Sequence, residues 1–291
     1  MSRLFVFGLG YTATRLARRL IGKGWDVAGS VRSADRAEAL RREGIAAIAF
    51  DGAQPAPEVG PMLATCDHVL VSIAPPEGGD PVLAHHRADL VARAGGLRWI
   101  GYLSTVGVYG NFDGAWIDED TPPQPVNART ERRVAAEAAW RSLGEEIGVP
   151  VAIFRIAGIY GPGRSQLVAL REGRAKRIVK PGQVFNRIHV DDIGTTLEAS
   201  MARPAPRIYN VADDHPAPPQ EVVAFAAHLM GIAPPPEIPF DQAEMTPMAR
   251  SFYGDNKRVG NRRIVEELGV RLAWPDYKAG LTALYEAGEG R

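Results

Sequence analysis

The chain opens on a continuous apolar run, Leu4-Phe5-Val6-Phe7, that stops at a glycine. Such a run, ended by a turn signal, predicts a strand buried on both faces of a parallel sheet. The period then changes. Over residues 12–22, Leu16, Leu20 and Ile21 fall on one side of a helix and Arg15, Arg18 and Arg19 on the other. The alternation continues with strands predicted at 27–31, 45–50, 68–73 and 97–103, and helices at 34–43 and around 82–94. Strands separated by helices predict right-handed βαβ crossovers and a doubly wound α/β sheet.

After residue 110 the pattern coarsens into a loop to residue 125, a helix at 128–147 and a strand at 149–156. Proline clusters at 204–206, 216–219 and 234–239 then divide the chain into short pieces, with apolar segments such as 222–230 between them. This predicts a smaller, looser C-terminal lobe, where substrate selectivity is expected.

Composition narrows the partners. With 291 residues, 45% of them hydrophobic and 23% charged, the chain is long enough for one large domain or two modest ones. Lys plus Arg equals Asp plus Glu at 34 each, so no basic surplus points to nucleic acid or anionic lipid, and a small-molecule substrate is expected. Cys66 is the only cysteine, which excludes an intrachain disulfide and a cysteine-built metal site. No metal is expected, and a reducing compartment fits. The first strand starts near residue 3, leaving no room for a signal sequence, and no apolar run reaches the roughly 18 residues of a membrane span. A cytoplasmic location is therefore expected.

The segment Gly8-Leu9-Gly10-Tyr11-Thr12-Ala13 is G-x-G-x-x-A, directly after a buried strand and opening a helix. Gly8 permits the tight turn, Gly10 lets backbone approach a pyrophosphate, and Ala13 keeps helix and strand close. The helix N-terminus adds unpaired N–H groups and a positive dipole. The fold class is thus a Rossmann-type doubly wound parallel sheet with a smaller C-terminal substrate lobe. Residues 1–160 are expected to form the NAD(P)-binding domain, with 186–213 returning to it; 161–185 and 214–291 form the lobe.

Cofactor choice is written at the end of the second strand, where an acidic residue would hold a free ribose 2′-hydroxyl. The sequence there is Gly29-Ser30-Val31-Arg32-Ser33, without a carboxylate. Arg32 with Ser30 or Ser33 suits a 2′-phosphate, so NADP(H) is expected over NAD(H); the alternative is a solvated loop arginine. Asp51 is placed either at the adenine edge or as a turn former before Gly52. Ser72, Ile73 and Ala74 are expected to wall the site after the fourth strand.

Four further segments resemble the extended, NAD(P)-dependent epimerase/dehydratase branch of the short-chain dehydrogenase/reductase superfamily. They are Leu103-Ser104-Thr105-Val106-Gly107-Val108-Tyr109-Gly110; the run Arg155-Ile156-Ala157-Gly158-Ile159-Tyr160-Gly161-Pro162-Gly163; Arg187-Ile188-His189-Val190-Asp191-Asp192; and Tyr209-Asn210-Val211. The resemblance extends over nearly the whole chain. It implies Thr105 as the catalytic hydroxyl, Ile156 at the cofactor, and a homodimer through the 128–147 helix.

The chain also departs from that pattern. The branch usually carries G-x-x-G-x-x-G, so the turn here is of the tighter type. Its Y-x-x-x-K pair, in which a lysine lowers the tyrosine pKa, aligns with Arg129 and Arg133. An arginine offers only donors and stays protonated, so Arg129 cannot serve as the general base. Arg133 is expected at the cofactor and Arg129 at a ligand; a solvated helix face including Arg132 is the alternative. Tyr109 and Tyr160 are the nearest replacement hydroxyls, and both belong to motifs that serve packing. A structural role is favoured for His189, and solvation for Asp118, Glu119 and Asp120. Many nucleotide-sugar enzymes of the branch carry an arginine where this chain has Phe185, leaving Arg164 or Arg187 as a substitute. Together these features predict an NAD(P)-binding oxidoreductase or epimerase/dehydratase-like enzyme acting on a small polar substrate. A non-catalytic NADP(H)-binding sensor or regulatory protein is the alternative.

Overall fold

The computed structural model describes residues 2–291. Its central sheet contains β1 (Arg3–Phe7), β2 (Asp26–Val31), β3 (Ala46–Ala49), β4 (His68–Val71), β5 (Trp99–Thr105), β6 (Val151–Ile156) and β7 (Ile208–Val211). Their spatial order is β7-β6-β5-β4-β1-β2-β3. The pairs β1–β2, β1–β4, β2–β3 and β4–β5 are parallel, with Phe7 opposite both Ser30 and Val71. The order reverses beside β1, the position at which doubly wound sheets open a crevice at the carboxyl ends of their strands. All described residues of β4 and β6 are buried, which accounts for sequences that are apolar except at His68 and Arg155.

The connecting helices are α1 (Tyr11–Ile21), α2 (Ala34–Arg42), α3 (Val59–Leu63), α4 (Pro81–Arg93) and α5 (Ala128–Ile147). Their ends follow from capping chemistry. Ser33 caps α2 by accepting from Arg36 N, Asp80 caps α4 ahead of Pro81, and Asn127 with Thr130 forms a capping box on α5. Gly148, left-handed at φ 68°, stops α5. The structure differs from the sequence expectation in detail. β4 ends at Val71, which leaves Ser72 and Ile73 in a loop. β5 starts two residues later than expected because a 3-10 turn, Ala94–Gly96, takes up the preceding chain, and it runs on through the polar pair Ser104-Thr105. The short α3 has no clear helical signal, because Gly60 and Pro61 interrupt it.

The chain divides into two compact units. The first comprises Met1–Val108, Pro125–Arg155 and Gly194–Tyr209. Its core packs Phe5, Phe7, Val69, Ile100 and Ile153 with Trp140 of α5. The second comprises Tyr109–Gln124, Ile156–Ile193 and Asn210–Arg291. It contains parallel two-stranded pairs, among them Gly158–Tyr160 with Arg187–His189 and Arg177–Val179 with Glu237–Pro239. Its core joins Tyr160, Leu167, Val222, Ala226, Tyr277 and Leu281. Among the described residues, no helix is long and apolar enough to cross a membrane.

Candidate functional site

The turn after β1 is built by its neighbours. Gly8 has φ 96°, a conformation side chains rarely adopt, and a Cβ there would meet Ile73 Cγ1 at 2.9 Å. Leu9 is buried over β2, where Gly29 makes room; a Cβ on Gly29 would lie 2.5 Å from Val6 O and 2.9 Å from Leu9 Cδ1. Leu9 N donates to Ser30 O at 2.7 Å and Gly8 N to Ser30 Oγ at 3.2 Å. Gly10 takes the N-cap position of α1 with no side-chain cap and no acidic residue in the first turn. Nothing lies within 4 Å of a Cβ placed on Gly10. Behind the turn, Thr14 Oγ1 donates to Leu9 O at 2.9 Å, and Ala13 is fully buried. The start of α1 is therefore an anion-attracting helix end with no side-chain cap and no acidic residue in its first turn.

Around this turn lie the other strand ends. Arg32 is exposed one residue beyond β2. Ser30 is fully buried with its hydroxyl on Gly8 N, so its role is to hold the turn rather than to bind a 2′-phosphate. Ser33 caps α2, accepting from Arg36 N at 3.4 Å. Asp51 is exposed, and its Oδ1 accepts from Ala53 N at 2.9 Å, the turn-forming geometry. Ser72 and Ile73 are half-buried and Ala74 is exposed in the loop after β4. Ile156 is the buried last residue of β6.

Thr105 closes β5 half-buried, and its Oγ1 accepts from Gly107 N at 3.1 Å, leaving the hydroxyl hydrogen to donate elsewhere. Its neighbour Ser104 points the other way, into a buried network absent from the sequence expectation. Ser104 Oγ donates to Glu137 Oε1, and Arg155 Nη2 meets Glu137 Oε2 at 2.7 Å, with side-chain exposures of 3% and 5% for the ion pair. No periodicity or motif spacing in the sequence marks these three residues as partners. Arg133 Nη1 donates to Leu103 O at 2.7 Å and to Tyr102 Oη at 3.2 Å, so it braces α5 against β5. Burial pushes the Tyr102 hydroxyl up to about 12, partly opposed by the Arg133 charge, which disqualifies it as a base near neutral pH. Arg129, one turn earlier, is exposed.

The remaining expected residues lie in the second unit. Tyr109 is fully buried, and its hydroxyl donates to Asn210 Oδ1 at 2.8 Å, which removes it from the set that can meet a substrate. Lys257 anchors the same loop by donating to Gly110 O at 2.6 Å, its pKa lowered by burial. Glu119 is buried rather than solvated; it accepts from Asn210 N at 2.9 Å, and burial raises its pKa. The expectation failed because the charge run Asp118-Glu119-Asp120 resembles a solvated loop. Tyr160 donates to Asp276 O at 3.2 Å, and burial drives its pKa far up. His189 is buried against Trp274 at 3.9 Å between ring centroids, while Asp192 accepts from Ala273 N and Trp274 N. Arg164 is exposed in a turn whose backbone bonds to Gly161 in both directions. Arg187 is half-buried, with Nη1 on the carbonyls of Phe185 and Ala217.

The NAD dependent epimerase/dehydratase family model matches residues 4–212, from the first strand to the end of β7 and just beyond. The chain belongs to the NAD-dependent epimerase/dehydratase family. It is similar to protein YeeZ of Escherichia coli strain K12, at 29% identity over 295 aligned positions covering 95% of this chain and 97% of YeeZ. A functionally unknown conserved protein from Silicibacter pomeroyi DSS is 50% identical, with a TM-score of 0.90 over 99% of this chain and 100% of that one. UDP-glucuronic acid 4-epimerase from Bacillus cereus, solved in complex with NAD, shares the fold at 16% identity and a TM-score of 0.76, over 98% of this chain and 97% of that one.

Proposed function

We propose that the chain binds a nicotinamide dinucleotide on the Gly8-Leu9-Gly10 turn, NADP(H) in preference to NAD(H), and acts as an oxidoreductase or epimerase-like enzyme on a small polar substrate. The observation that carries this reading is the uncapped start of α1, bare at Gly10 and free of first-turn acid. The NAD complex of the Bacillus cereus relative supports a nicotinamide cofactor. Exposed Arg32, with no carboxylate at the end of β2, supports the 2′-phosphate form.

The backbone of Gly8 to Thr12 would hold the pyrophosphate, Arg32 the 2′-phosphate, and Ser72, Ile73 and Ala74 the wall beside it. When bound, the cofactor supplies or accepts a hydride. Thr105 orients a substrate oxygen by donating its hydroxyl hydrogen, while Gly107 N fixes the oxygen's position. Arg133 keeps the end of β5 in place through Leu103 O, doing mechanically what it cannot do as an acid or base. A phenolate base is absent from this scheme, so the proton on the substrate oxygen exchanges with water.

One observation favours the second reading, a dinucleotide sensor without turnover. Arg133, which the sequence resemblance aligns with the family lysine, is bonded to β5, and the hydroxyl it bonds, Tyr102, is held fully protonated by burial. The two readings separate in a thermal-shift screen with NADP+, NADPH, NAD+ and a metabolite panel, followed by absorbance at the nicotinamide band. Turnover abolished by Thr105→Ala is the expected result. Stabilisation by cofactor with no redox change across the panel supports the sensor, and no response to any dinucleotide contradicts both.

A further inference from the structure

Arg187 opens the strand Arg187–His189, and its main-chain carbonyl accepts from Asp213 N at 2.7 Å. Its guanidinium is anchored through Nη1 alone, on Phe185 O at 3.0 Å and Ala217 O at 3.1 Å. Among the described residues its Nε and Nη2 have no hydrogen-bond partner, and no carboxylate lies within ion-pair distance. The guanidinium charge acts on Asp213, Tyr277, Tyr160 and Tyr253. Of these, Tyr160 is engaged with Asp276 O. Tyr253 and Tyr277 bury their rings, at 7% and 3% residue exposure, yet neither hydroxyl has a partner among the described residues. Asp213 is 2% exposed; its Oδ1 accepts from His215 N at 3.2 Å, and its buried Oδ2 has no partner.

A buried carboxyl oxygen without a partner is rare in folded proteins and calls for an explanation. Here it accompanies a fixed cation with unused donors and two phenols with unused hydroxyls. We propose that Arg187, Tyr253, Tyr277 and Asp213 form a binding site, within the second unit, for the carboxylate of a ligand with an apolar or aromatic body.

The planar guanidinium matches a carboxylate through its paired donors, and the two phenols supply further O–H groups. The aromatic surroundings, Phe185 edge-on to Tyr253 at 5.0 Å and Phe225 edge-on to Tyr277 at 5.8 Å, suit an apolar ligand body. A phosphate dianion fits less well, because Asp214 and Asp276 add negative charge around Asp213. Burial pushes Asp213 up to about 8, so at neutral pH its carboxyl is a hydrogen-bond donor toward the ligand and not a repelling charge. Tyr253 and Tyr277 stay protonated, since burial raises both. All four residues belong to the second unit, and the site does not depend on the dinucleotide reading.

The test uses the full-length protein with labelled tyrosine and phenylalanine rings, so that Phe185 and Phe225 report binding in every variant, titrated with benzoate in the absence of dinucleotide and followed by NMR. Saturable shifts at Tyr253 and Tyr277 are expected, with binding weakened about tenfold or more by Arg187→Gln and by the Tyr253→Phe/Tyr277→Phe pair. Between pH 7 and 9 affinity should fall in the wild type and hold in Asp213→Asn. Phenyl phosphate binding as tightly as benzoate at pH 7 would overturn the carboxylate assignment. Absence of saturation, or unchanged affinity in the tyrosine pair, would overturn the site. The tyrosine pair removes only two oxygens, so it decides the matter even where Arg187→Gln fails to fold. Cofactor binding, measured separately, stands or falls on its own.

Discussion

At Arg133 a single side chain fastens two elements. Its guanidinium reaches Leu103 O and Tyr102 Oη and ties α5 to β5. Arg133→Ala should therefore cost about 1–3 kcal/mol of stability in urea unfolding, since it strands a half-buried carbonyl and a hydroxyl. A change within a few tenths would mean that the contact is incidental. Asp213 makes a separate prediction. Its folded pKa near 8 exceeds the roughly 3.9 of an unfolded aspartate, so the native chain holds a proton that the unfolded chain releases. Its contribution is complete below about pH 4 and is lost as pH rises through about 8. Melting curves of Asp213→Asn and wild type should diverge in favour of the variant from pH 4 to 8 and run parallel above that; a constant gap would contradict the assignment. Neither role was legible beforehand. Sequence spacing cannot tell which carbonyl the Arg133 guanidinium reaches, and Asp213 lies just past the Tyr209-Asn210-Val211 motif with no spacing signal.

At the scale of elements, the β1-turn-α1 unit was the most legible part of the chain because every local signal agreed: an unbroken apolar strand, small residues at fixed offsets and an amphipathic helix. What the pattern omitted is the support from β2. Gly29 leaves room for Leu9, and Ser30 ties down Gly8, so the second strand holds the turn's shape. Gly29→Ala should weaken the turn, because its Cβ would meet backbone at Val6 O, which cannot swing away. A loss of about 1–3 kcal/mol and weaker dinucleotide binding are expected in parallel denaturation and titration experiments, and unchanged values for both would contradict the packing described. The loop after β5 was less legible. Alternation continues into Ser104-Thr105, but sequence cannot show that one hydroxyl turns to the buried Glu137–Arg155 pair while the other turns away.

Across the whole molecule, the doubly wound order and the family pattern were both written in the sequence, because long βαβ periodicity leaves few alternative topologies. The second unit was harder to read. Its strands are two or three residues long, and much of its order comes from single contacts such as Glu119 to Asn210 N and Asp192 to Ala273 N and Trp274 N, which have no periodicity. The proposed functions follow the same division: the dinucleotide is assigned to a regular unit whose motif is recognisable, and the carboxylate ligand to an irregular one. The most direct measurement is isothermal titration of the wild-type protein and Arg32→Ala with NADPH and NADH. One site per chain is expected, with NADPH tighter than NADH, and Arg32→Ala weakening NADPH by about tenfold or more while barely changing NADH. Equal effects on the two would refute the NADP(H) preference, and no binding of either would refute the dinucleotide turn itself.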